Sequence, residues 1–128
     1  MRLNTLNLSQ PQNTFKGKFH FTGRNWTKQL QDHLIKNQEL FKDLTENRDV
    51  FVRVSRRTSF KNNIYQSKGD KLYKVKFSSV KEGSKLGVLL DKLHLNRRVS
   101  LTNNYYTERA LMGRVDELHA DRVISLLS

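Results

Sequence analysis

Two stretches of this chain alternate between apolar and cationic or polar side chains, and few folds accommodate that pattern. Val50-Phe51-Val52-Arg53-Val54 puts three valines on one side. Leu72-Tyr73-Lys74-Val75-Lys76-Phe77 puts Tyr73, Val75 and Phe77 on one side and Leu72, Lys74 and Lys76 on the other. A period of two is that of a half-buried strand, whereas on a helix the same residues would scatter around the axis. An earlier segment repeats the pattern, with Phe15, Phe19 and Phe21 opposite Lys16, Lys18 and His20. Each segment independently predicts a sheet with one apolar face and one cationic face.

Helical spacing fills the intervals. Gly23 closes the first strand, and Asn25 is placed to cap a helix carrying Trp26, Leu30, Leu34 and Ile35. A second cap-like residue, Asn37, precedes Leu40, Phe41 and Leu44 and predicts a bend or restart there. Residues 56–68 read as a long hairpin connection, after which Gly69-Asp70 opens a third strand over 71–78. Ser84 can cap a short helix whose stripe is Leu86, Leu89, Leu90 and Leu93, weakened at Gly87 by about 1 kcal/mol relative to Ala. Residues 96–106 read as extended or looped. Thr107 caps a last helix holding Leu111, Val115 and Leu118, with Glu108 in its positive first turn and a break expected near His119-Ala120-Asp121. The predicted fold is α+β in the order β-α-β-β-α-α. It is a small antiparallel sheet of about three strands with helices packed on one face. Residues 1–13 read as a flexible polar tail and residues 14–128 as a single domain, a normal domain length.

Charge is where the pattern acquires functional content. Lys plus Arg total 24 against 12 Asp plus Glu, a formal net charge of +12. The predicted helices mix signs, so the excess falls on the strands and the hairpin. Between Val50 and Lys81, the cations Arg53, Arg56, Arg57, Lys61, Lys68, Lys71, Lys74, Lys76 and Lys81 face Asp70 alone. A sheet face so charged repels itself, and a polyphosphate backbone is the commonest partner that relieves such repulsion. Candidate nucleic-acid-binding residues are therefore Lys16, Lys18, Phe51, Arg53, Arg56, Arg57, Lys61, Lys68, Lys74 and Lys76. Phe51, Phe60 and Tyr65 would offer flat surfaces on which unpaired bases can stack. The expected function is that of a non-enzymatic binding module, with RNA favoured over DNA. The alternative is a regulatory module docking an acidic protein through the same face. A third reading is a small metal-independent ribonuclease, with His20 as acid–base group and Arg53, Lys74 and Lys76 around the phosphate. Against all three stands a merely solvated surface on which lysines guard the sheet from aggregation.

Other classes are excluded or unsupported. Without cysteine there is no disulfide, thiolate nucleophile or Cys-ligated zinc, which suits a reducing compartment and a cytoplasmic location. No apolar run approaches the roughly 20 residues of a membrane span, and there is no secretory apolar core or basic amphipathic helix, so no membrane partner is expected. His20, His33, His94 and His119 lack the i, i+4 spacing of zinc ligands on one helix face, and neither metal nor cofactor is expected. Residues 81–87 contain two glycines without phosphate-loop spacing. Tyr105-Tyr106 reads as a loop pinned to the core, with a partner anchor as the alternative.

Over residues 15–78, the strand, long helix and strand pair with basic exposed positions resemble the β-α-β-β start of ribosome-hibernation-type proteins. The likeness lies in element order, and the last third, with two helices, departs from it. The resemblance implies ribosomal RNA as the kind of partner a basic strand face would meet.

Overall fold

The computed structural model describes residues 19–64 and 66–128. The expected polar tail, Lys16, Lys18 and Tyr65 lie outside the described residues. Strands β1 (Phe19–Thr22), β2 (Arg48–Thr58), β3 (Lys71–Lys81) and β4 (Val99–Ser100) form one sheet in the order β1-β2-β3-β4. The α+β class agrees with expectation, but the sheet has four strands and is mixed. β1 runs parallel to β2, pairing Phe19 with Val50 and Phe21 with Val52, while β2–β3 and β3–β4 are antiparallel. The parallel pairing follows from the connection. Helix α1 (Lys28–Lys36), a 3-10 turn (Gln38–Phe41) and helix α2 (Lys42–Thr45) carry the chain back to the end where it started, as a crossover between parallel strands must.

One sheet face carries the main core. Val50, Val52, Val54, Tyr73, Val75 and Phe77 pack with Leu30 and Leu34 of α1, Phe41, and Leu44 of α2. Leu111 of α4 (Glu108–Met112) and Val123 of α5 (Glu117–Leu127) complete the layer. The Phe41 and Phe77 rings stack at 4.8 Å. Thr27, rather than Asn25, caps α1 by accepting from the Leu30 N–H at 3.1 Å; Asn25 instead donates to the Val54 carbonyl. The expected restart at Asn37 is where α1 gives way to the 3-10 turn. The break in the last helical stretch comes earlier than expected. Gly113 ends α4, and Asp116 caps α5, so His119 to Asp121 are helical.

The helices do not all lie on one face. Helix α3 (Lys85–Lys92) packs on the opposite side, against the end of β3. A Cβ on Gly87 would stand 2.7 Å from Val80 Cβ, and Ser78 Oγ donates to Asp91 Oδ1 at 2.6 Å. Val80 and Ser78 alternate with the core-facing Phe77, which places α3 across the second face. The expected leucine stripe is consequently reversed. Asp91 is 2% exposed, whereas Leu86, Leu89 and Leu93 are 66%, 51% and 56% exposed. Gly87 is the reason the helix can sit this close.

Candidate nucleic-acid interface

Strand register decides which cations meet. On β2, residues 51, 53, 55 and 57 point away from the main core, and opposite them on β3 stand 78, 76, 74 and 72. Arg53 therefore pairs directly with Lys76, Ser55 with Lys74 and Arg57 with Leu72. Like charges directly across an antiparallel pair are destabilising, so the Arg53–Lys76 row carries a cost. Thr22 of β1 and Ser100 of β4 extend this row to four strands, giving a strip that crosses the whole sheet. Among the described residues, Arg53, Arg57, Lys74 and Lys76 form no ion pair. The ion pairs present join His20 to Asp49, Arg98 to Asp91 and His119 to Asp116.

The proposed set does not come together whole. Arg56 alternates onto the other side of β2, opposite Tyr73, and is exposed there beyond the core. Lys61 and Lys68 are exposed in the hairpin connection 59–70. That connection is tied down by the buried Ser59, whose hydroxyl accepts from the Lys61 N–H at 3.2 Å and from Gln66 Nε2 at 2.7 Å. Asn62 Oδ1 accepts from the Lys68 N–H at 2.6 Å, so both lysines spring from an ordered loop. Phe60 and Ile64 of the same connection are 83% and 88% exposed.

Phe51 is the clearest correction. It lies on the cationic face, as its periodicity requires, yet is only 8% exposed, with its ring stacked against His20 at 5.0 Å. A base cannot reach a ring that His20 already covers. Leu72 is buried on the same face, which narrows the open surface to Arg53, Ser55, Arg57, Lys74 and Lys76. Arg53 lies beside Gly23, where a Cβ would stand 3.4 Å from its Cγ, and its Nε is buried with no hydrogen-bond partner.

The aromatic that does stand among these cations is Tyr105. The Arg57 guanidinium and the Lys74 ammonium each lie 4.8 Å from its ring centroid. Its position follows from the backbone. Tyr106 forms a bridge to Tyr73 with hydrogen bonds of 2.7 and 3.0 Å, so the chain after β4 runs on alongside β3. Alternation then sends Tyr106 toward the core and Tyr105 to the cationic side. The twin tyrosines thus divide, one to the core and one to the surface. Reading residues 96–106 as a continuation of the sheet would have exposed this split in the sequence.

His20 Nε2 lies 3.2 Å from Asp49 Oδ1, whose second oxygen accepts from the Gly83 N–H at 3.2 Å. The imidazole is therefore held by one carboxylate and one ring rather than pointed at the Arg53–Lys76 row. Among the described residues, no cluster of three or more histidines and carboxylates could hold a metal ion, and no helix is long and apolar enough to cross a membrane.

No family model matches the chain, and no curated protein matches it in sequence. What the strip could do rests on its own chemistry. Four cations and one aromatic ring share this face, Arg57 exposed and Arg53, Lys74, Lys76 and Tyr105 half-buried.

Proposed function

We propose that this protein is a non-enzymatic module that binds the backbone of single-stranded nucleic acid, RNA in preference to DNA, in the cytoplasm. The observation that carries this reading is the strip of Arg53, Arg57, Lys74 and Lys76, none paired with a carboxylate among the described residues, with Arg57 and Lys74 flanking Tyr105. Phosphate contacts supply sequence-independent affinity, and Tyr105 holds the Arg57 and Lys74 side chains in place on the strip. The exposed Lys61, Lys68 and Phe60 of the hairpin connection extend the reach of the same ribbon.

Fluorescence anisotropy with a labelled oligouridylate tests the proposal. Log affinity should fall with log salt at about 0.7 per phosphate contacted, or about 3 for four cations. The variant R53E/K74E/K76E should bind far more weakly and flatten the slope by about 0.7 for each cation removed. Unchanged affinity and slope in that folded variant would remove the strip from the interface. Polyglutamate binding as tightly as the oligonucleotide would instead favour an acidic protein partner. RNA should also remain intact in the mixture; cleavage that disappears in H20A would make the protein a nuclease.

A further inference from the structure

The cationic strip ends at β4, the last strand of the sheet, and a cleft of about 260 Å³ opens there. Its walls bring together cations from three parts of the chain: Lys74 of β3, Arg97 and Arg98 of the segment between α3 and β4, and Arg122 of α5. No carboxylate lines it. From these observations we infer that the cleft is a phosphate site that takes the terminal phosphomonoester of a nucleic-acid strand lying along the strip. The inference rests on the nucleic-acid reading above and adds a preference for strand ends.

Two of the guanidiniums are fixed before any ligand arrives. Arg122 donates to the Ser100 carbonyl at 2.8 Å, to the Leu101 carbonyl at 3.4 Å and to Asn103 Oδ1 at 3.1 Å. Arg98 donates to the Asp91 carbonyl at 3.4 Å and to His94 Nδ1 at 2.9 Å. The Asp91 carboxylate lies 3.9 Å from Arg98, but it is buried under α3 against Ser78 and is not part of the cleft wall. Guanidiniums held this way lose little rotational freedom on meeting an anion, and each keeps N–H donors that the protein does not engage. Arg97 is exposed and makes no hydrogen bond or ion pair among the described residues, leaving its charge free for a ligand.

Charge favours an end over an internal phosphate. Lys74 belongs to both strip and cleft, touching Tyr105 on one side and lining the cavity on the other. Arg122 and Leu126 of α5 line the same cleft, so it draws its cations from both sides of β4. A phosphomonoester carries about −1.5 to −2 charges near neutral pH, more than a backbone diester, and so better suits four clustered cations.

The test uses one oligouridylate with a 5′-phosphate, with a 3′-phosphate, or with hydroxyls at both ends. One phosphorylated form should bind about ten-fold tighter than the hydroxyl form. Arg97→Ala, which removes no hydrogen bond or ion pair among the described residues, should bring those two affinities within about two-fold of each other. Equal binding of all three strands to the parent, or an end preference that survives in R97A, overturns the inference while leaving the strip intact. Inorganic phosphate that abolishes the preference as effectively as a phosphorylated strand would assign the cleft to free phosphate and overturn it too. Failure of every strand to bind would remove the nucleic-acid reading itself, and this site with it.

Discussion

Asp116 shows how much one side chain can contribute locally. Its carboxylate caps α5 by accepting from the His119 N–H at 2.9 Å, and it also lies 2.7 Å from His119 Nδ1. The backbone hydrogen bond, followed by the His119 side chain, holds this carboxyl below its ordinary value, with the nearby Arg114 charge acting in the same direction. A carboxylate depressed in the folded state stabilises it fully above the unfolded value, and that contribution is lost as pH falls through the folded one. Asp116→Ala should therefore cost about 1 kcal/mol at neutral pH, the usual loss for an N-cap. In urea melts the gap from the parent should close below the carboxylate range; a gap that stays constant into acid would mean the cap acts through shape alone. Residue-level chemistry of this kind was only half legible in the sequence. The caps Ser84 and Thr107 stand where they were expected, because a hydroxyl before a helical run has one obvious use. Asp116 escaped notice because Gly113 and the break after it are visible only once α4 and α5 pack as separate pieces.

At the scale of elements, α3 illustrates what periodicity can and cannot decide. The strands were legible because alternation has two outcomes and three segments agreed on one of them. A leucine stripe at helical spacing carries the ordinary implication of a core-facing side, yet Leu86, Leu89 and Leu93 face outward. The sheet itself decides the matter. Ser78 offers a hydroxyl to Asp91, and Val80 leaves room only for a residue without a Cβ. On propensity alone, Gly87→Ala would favour the helix by about 1 kcal/mol. Here the added methyl would stand 2.7 Å from Val80 Cβ and 2.9 Å from its Cγ1, so α3 must lift from the sheet. Overpacking of this kind costs about 1–3 kcal/mol, and the variant should be less stable than the parent in chemical denaturation. G87A/V80A, which clears the obstruction, should recover part of the difference relative to V80A alone. A gain in stability from G87A by itself would show that α3 does not sit on Val80. The same blind spot hid Phe51, since covering a face requires an element whose docking side was misread, and the His20 ring arrives from a neighbouring strand.

Across the whole molecule, the net charge of +12 is barely compensated. Of the ion pairs among the described residues, two depend on a histidine, and the third, Arg98 to Asp91, spans 3.9 Å. Cations opposed across the sheet, as Arg53 and Lys76 are, repel one another in the free protein. That repulsion is long-ranged at low ionic strength and is screened as the Debye length shrinks from about 30 Å at 0.01 M to about 8 Å at 0.15 M. Thermal stability should therefore rise with sodium chloride over that interval, by about 1 kcal/mol or about 4 °C for a chain of this size. Oligonucleotide affinity should fall over the same interval, because released counterions drive that association. The two trends have one cause: ions in solution relieve the repulsion that a bound backbone would otherwise relieve. If the strip is its main seat, the neutral variant R53Q/K74Q/K76Q should melt higher than the parent at low salt and lose most of the salt response. A melting temperature that is flat or falls with salt in the parent would show that the cations are already compensated, and the case for an anionic partner on this face would lose its physical basis.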